Sequence, residues 1–269
     1  MSSDALKVLH VSTWNIRCGI ASYCKNLIKS LDKHGIVSDV YAVYPHEWST
    51  FHRRDEERVV QEIADKARDF DLVHFQHEHG LFGQARGSVY ALKRFGEILS
   101  KLREQKKQTL TTFHTEPIHN SHNKKNRWYR KPAEWLRNKQ WQKLVCRHFN
   151  DRPGGAHAIV HSTLTKYRFL CAGLPYDTLH VMPHACLPQR QAVMSMEEAK
   201  QQLGLTADTC LMTIFGFLGA YKGHDLAIDA LSYLPERYKL AIVGVRTRKI
   251  ATIISRNCCR KSTTVIVIA

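Results

Sequence analysis

Three stretches place reactive side chains directly after short apolar runs. Asp71 to Gln76, DLVHFQ, leads into His77-Glu78-His79-Gly80. Thr109 to Phe113 ends in His114-Thr115. Leu211 to Phe215 leads through Gly216 to Lys222-Gly223. Residues that follow a strand in an open α/β sheet sit where such sheets hold ligands. A histidine there can make a hydrogen bond or carry a proton near neutral pH. A lysine ahead of a helix supplies a point charge for phosphate, and the helix N-terminus adds partial positive charge. Each has a plainer reading, as a structural histidine or a surface lysine, and these residues alone leave both open. The run His77-Glu78-His79 has the side-chain types of a metal site. Adjacent residues do not converge on one ion from regular structure, so no metal is expected there.

These groups need elements to hold them. Leu6 to Ser12 reads as a first strand, followed by a loop to Cys18-Gly19 and a helix over Ala21–Leu31 that ends at Gly35. Val37 to Val43 is a second strand, and 55–68 and 86–103 are helical in pattern. Pro132 suits the first turn of a helix that runs to Phe149, with Trp135, Trp141, Leu144, Val145 and Phe149 along one side. Strands follow at 156–160 and 178–182, with a helix over Thr163–Cys171 capped by Ser162 between them. Residues 188–194 read as a linker, and Ser195-Met196-Glu197-Glu198 as a capping box. A second strand–loop–helix–strand unit then spans Leu211 to Val243, its first strand expected to be buried on both faces.

Composition narrows the function classes. The chain has 269 residues, enough for about two domains, and 43% hydrophobic content. No window reaches the roughly 20 apolar residues of a membrane span. MSSDALKVLHVS lacks a basic and apolar leader, so no secretory signal is expected. Eight cysteines without a CxxC pair favour a reduced, cytoplasmic setting. GxGxxG and HExxH are absent, which disfavours a dehydrogenase, and no cofactor is expected. The net charge of +16 implies an anionic partner. Between His119 and Arg152 ten Lys and Arg face two acids, with tryptophans interleaved. That stretch suits an anionic membrane surface; nucleic acid is the less favoured partner. From Arg246 onward there are six Lys and Arg and no acid, before a strand-like VIVIA. This tail reads as a foreign or frame-shifted ending on an incomplete second domain.

Together five segments resemble the retaining GT-B glycosyltransferases, the "group 1" or family-four class. They are LKVLHVS with the turn at Gly19, QHEHGLFG over 76–83, TFHT over 112–115, GLPYDTLHVMPHA over 173–185, and FGFLGAYKGHDLAIDAL over 215–231. The resemblance covers residues 6 to 245. It implies an α/β protein of two Rossmann-like domains facing a cleft, the second incomplete, with 1–188 on the acceptor side and 189–245 beginning the donor side. It implies transfer of a sugar from a nucleotide-diphosphate donor with retention, usually without metal.

By the same resemblance, His114 would hydrogen-bond the transferring sugar. Gly19, Gly216, Lys222 and Gly223 would hold the donor, with Lys222 on its diphosphate. His77 and Glu78 would lie on the acceptor side. The sequence departs from the family pattern at Phe217 in place of arginine, at Cys18-Gly19 in place of Gly-Gly, and at Ala185 in place of the hinge glycine. It has no E-x7-E segment after Val245. Whether the chain is active alone stays open at this point, as does the alternative of a non-enzymatic basic protein that binds an anionic membrane or nucleic acid. The expected location is cytoplasmic, at the membrane periphery if the basic stretch docks there.

Overall fold

The structure, a computed structural model, describes residues 5–44, 47, 51–78, 81–82, 88–115, 131–150, 154–185, 194–216, 222–244 and 265–268. The chain forms two units, Met1–Cys186 and Leu187–Ala269.

The first unit is built on a six-stranded parallel sheet in the order β2-β1-β3-β4-β5-β6. Its strands are β1 (Lys7–Ser12), β2 (Val37–Ala42), β3 (Leu72–His77), β4 (Gln108–Phe113), β5 (Ala156–Val160) and β6 (Leu179–Val181). Between them run α1 (Gly19–Asp32), α2 (Arg53–Lys66), α3 (Ser88–Glu104), α4 (Lys131–His148) and α5 (Thr163–Cys171). Side chains alternate across each strand, so each strand contributes to both faces of the sheet. On one face Leu9, Val11, Val73, Phe75, Phe113, Ala158 and Val160 form a single apolar core with residues of α2, α3, α4 and α5. Trp141 is fully buried in that core and its Nε1–H donates to the Ala172 carbonyl at 3.0 Å. The opposite face is far more polar and carries His10, His74, Gln76 and Thr112, all buried. The α1 helix packs on β1 and β2.

One ionic link is enclosed between the helices. Arg94 of α3 donates to Glu56 of α2 at 2.7 Å, with both side chains buried. Tyr90 also donates to Glu56, and Arg94 reaches Glu97 as well. A buried charge pair costs desolvation, which the further bonds to Tyr90 and Glu97 offset in part.

The second unit holds α6 (Met196–Gln202), β7 (Cys210–Phe215), α7 (His224–Leu231), β8 (Tyr238–Val243) and β9 (Val265–Ile268). Its three strands are parallel in the order β7-β8-β9. The VIVI segment of the basic tail is thus a sheet strand paired with β8; residues 245–264 and 269 lie outside the described residues. Ile228, Leu231, Leu240 and Ile242 form the small core.

Two sequence expectations change. Trp135 is 59% exposed, with the Lys139 ammonium 5.0 Å from its ring centre, and does not face the core with Trp141. At about 100° per residue, six positions leave the two side chains roughly 120° apart around the helix. Strand β7 is half-exposed rather than buried on both faces, and Phe215 is largely open. No helix among the described residues is long and apolar enough to cross a membrane. The basic stretch 119–152 is described only over 131–150.

Trp141→Ala should lower the stability of the first unit by about 3–5 kcal/mol in urea melts. Trp135→Ala should change it by no more than about 0.5 kcal/mol. Equal effects would contradict the packing described for α4.

Candidate functional site

At the carboxyl ends of β3 to β6 the polar face gathers into one cluster. Register sets Gln76 of β3 beside Thr112 of β4, and His77 beside Phe113. His114 directly follows β4, and its backbone N–H donates to the His77 carbonyl at 3.0 Å, which continues the ladder by one residue. His114 Nε2–H donates to Gln76 Oε1 at 2.9 Å. The Gln76 amide nitrogen lies 3.3 Å from His74 Nε2, and Thr112 Oγ1 lies 2.8 Å from the same atom. An amide nitrogen can only donate, so His74 Nε2 carries no proton and accepts. Thr112 also bonds the Tyr23 hydroxyl, which α1 brings over the sheet. The result is a continuous chain of hydrogen bonds from Tyr23 to His114.

Two further histidines join it. His161 follows β5 and His184 lies just beyond β6. The Tyr23 ring packs against all three imidazoles, with centroid distances of 4.9 Å to His114, 5.5 Å to His161 and 5.1 Å to His184. One ring nitrogen from each histidine lies within 4.8 Å of those of the other two. His161 Nδ1 is 2.9 Å from the Met182 carbonyl and His184 Nδ1 is 3.1 Å from the Ala185 carbonyl.

Burial holds His10, His74 and His114 neutral. The His114 pKa falls to about 4, first through burial and then through His161 and His184 nearby. His74 falls to about 3, through burial and then His10 and His114. His10 falls to about 4 through burial alone. At neutral pH His114 is therefore a hydrogen-bonding imidazole and not a cation. Burial also raises the Tyr23 phenol, against the opposing bond from Thr112.

In the second unit Gly216 and Gly223 take positive φ, 120° and 69°. Gly223 is the N-cap of α7 and offers no side-chain cap, so the first N–H groups of that helix have no capping side chain. Lys222 Nζ lies 3.8 Å from where a Cβ at Gly216 would stand. A Cβ at Gly244 would meet the Gly216 carbonyl oxygen at 1.8 Å, so glycine there lets the ends of β7 and β8 close together. His224, in the first turn of α7, is 6% exposed, and neither ring nitrogen has a hydrogen-bond partner.

The residues expected from sequence therefore divide. Gly216, Lys222 and Gly223 come together around the start of α7. Gly19 is the first residue of α1, with open space where a side chain would stand. His114 sits in the imidazole cluster. His77 does not join it: it is 3% exposed among the rings of Phe82, Phe95 and Phe113, on the core side of the sheet. Glu78 follows β3, half-buried, and its carbonyl accepts from the Leu81 N–H. Sequence reasoning missed Tyr23, His74, Gln76, His161 and His184. The last two had a usable signal, since both stand just past a strand, as His114 does.

A groove of about 780 Å³ lies elsewhere, lined by Arg53, Tyr90, Lys93, Lys101 and Arg147 among others. It shares no residue with the histidine cluster.

Comparison with protein-family models finds no match, and comparison with curated proteins finds none either. Solved structures do match. Anabaena HepE in complex with UDP is similar with a TM-score of 0.62 at 14% identity, over 98% of this chain and 70% of that one. The same protein with UDP and glucose gives 0.60 at 16%, with the same coverage. Staphylococcus aureus MnaA with UDP gives 0.52 at 8%, over 98% of this chain and 69% of that one. The fold is of the GT-B type. At these identities the likeness establishes architecture, α/β with Rossmann-like units, and the chemistry has to be argued from the residues.

Acid should destabilise the protein between about pH 6.5 and 4. The unfolded chain takes up protons on His10, His74 and His114 near the ordinary imidazole value of 6.5, while the folded state resists until about 4 or below. The stability held above pH 6.5 is thus lost as pH falls through this window, by up to about 1.4 kcal/mol per pH unit for each such histidine. Urea melts across this range should show that slope, and His114→Asn should flatten it. A flat profile would mean that these imidazoles titrate in the fold as they do in the unfolded chain.

Proposed function

We propose that this chain is a glycosyltransferase that uses a nucleotide-diphosphate sugar, with UDP-sugars as the donor class, and transfers the sugar with retention. The observation that carries the reading is the setting of His114. It is neutral, half-buried at the carboxyl end of a parallel strand, with Nε2–H committed to Gln76. That leaves Nδ1 as an acceptor for a sugar hydroxyl. A fixed neutral acceptor orients the sugar without placing a cation beside the anomeric carbon, where positive charge develops as the bond to the diphosphate breaks.

The negative charge of that step builds on the leaving diphosphate. Lys222 and the uncapped N–H groups at the start of α7 are the groups suited to it, a point charge joined to a helix N-terminus. The buried His224, with no partner on either nitrogen, adds a possible donor at the same helix end. Glu78 is the acceptor-side residue of this reading. The neighbours solved with UDP, UDP-glucose, and UDP and glucose support the donor class. They also weigh against the non-enzymatic reading as a basic membrane- or nucleic-acid-binding protein.

Isothermal titration of the full chain with UDP and UDP-glucose, paired with a sugar-release assay, tests the reading. Lys222→Ala should weaken UDP binding by about tenfold or more, as expected for loss of a charged hydrogen bond. His114→Ala should leave UDP affinity within about threefold and lower turnover by about 100-fold. Absence of binding to any UDP-sugar, or binding indifferent to Lys222, would overturn it.

A further inference from the structure

The histidine cluster has a second property, which concerns metal ions and does not rest on the transferase reading. Three imidazoles on three successive sheet strands, from the ends of β4, β5 and β6, bring one nitrogen each to within 4.8 Å of the others. In each ring one nitrogen faces an oxygen acceptor. His114 Nε2 faces Gln76 Oε1, His161 Nδ1 faces the Met182 carbonyl, and His184 Nδ1 faces the Ala185 carbonyl. Histidines that ligate metals characteristically donate their second N–H to a carbonyl or carboxylate in this way, because the bond fixes the tautomer and turns the lone pair toward the ion. Each ring thus keeps one unprotonated nitrogen. That of His161, Nε2, is buried without a hydrogen-bond partner. A buried acceptor with nothing to accept from carries a desolvation cost that an ion would relieve.

We propose that His114, His161 and His184 form a three-imidazole binding site for a first-row divalent cation, zinc being the best suited. Zinc takes imidazole nitrogens at about 2.0–2.1 Å, and a tetrahedral site with three histidines leaves the fourth position to water. Ligand nitrogens in such a site stand roughly 3.3 Å apart. Closure from 4.8 Å asks each pair to approach by at most about 1.5 Å. His184 is exposed, so it can turn at low cost, and it gives the ion a way in. Adjacent parallel strands supply the rigid spacing, and imidazole donors suit zinc, cobalt, nickel or copper over magnesium or calcium. Occupancy would commit the His114 nitrogen that a sugar hydroxyl would otherwise use, so bound metal would compete with the donor sugar.

Cobalt(II) titration of the reduced full chain tests this. One equivalent should develop the visible ligand-field bands of tetrahedral cobalt, without the near-ultraviolet charge-transfer band of a thiolate ligand, and zinc should displace it. His184→Ala and His161→Ala should each weaken that equivalent by at least about 100-fold. Gln76→Ala, which removes the bond that orients His114 while leaving all three imidazoles in place, should weaken it by about 10–100-fold. The stacked pair His157 and His180 serves as the control, and His157→Ala should leave the equivalent intact. Absence of tetrahedral bands would overturn the assignment. So would an equivalent that survives in the His161→Ala/His184→Ala double variant, or one lost in His157→Ala.

Discussion

The hydrogen bond from His114 to Gln76 fixes the chemistry of the polar face. Gln76 is fully buried, so both ends of its amide must be satisfied, or the fold carries a desolvation cost of about 1–3 kcal/mol for each unmet group. Its nitrogen turns toward His74 and its oxygen toward His114. That orientation settles which nitrogen of His114 holds the proton and which is left to accept. Thr112 and Tyr23 extend the chain to α1. Linking Gln76, His74 and Thr112 to one another lowers the cost of burying them, because an unpaired polar group is expensive in a low-dielectric interior.

Parallel pairing makes this possible. Residues of β3 and β4 that meet in the row lie 36 to 38 positions apart in sequence and become neighbours through in-register strands. The same pairing sets His114, His161 and His184 on successive strand ends. The sheet therefore sets the spacing of the cluster, most tightly at His114 and His161, each of which directly follows its strand. The two proposed uses draw on one nitrogen of His114, so they would exclude each other at a given moment.

Much of the architecture was legible in the sequence because buried parallel strands read as apolar runs between turn signals. Leu72 to Gln76, Thr109 to Phe113 and Leu240 to Val243 announce themselves that way. So do the turn glycines Gly216 and Gly223, both of which take positive φ. The inner face of β3 was harder. In LVHFQH, Val73, Phe75 and His77 go to the apolar core while His74 and Gln76 go to the other face. A reading that took the stretch as one apolar run missed that alternation. It therefore treated His77 as a site residue when aromatic packing was its role, and it passed over Gln76. Partners such as Thr112 and Tyr23 come from distant segments and leave no local trace. Trp135 and Trp141 show the converse error, in which a shared composition was taken for a shared face.

Burial keeps His114 neutral, and Gln76 fixes its one proton on Nε2. Long-range nitrogen–proton correlation spectra of the histidine-labelled chain at neutral pH read the tautomer of each imidazole directly. The account predicts the Nε2–H form for His114, and a tautomer mixture once Gln76 is replaced by alanine. An Nδ1–H or doubly protonated His114 in the unaltered protein would contradict it.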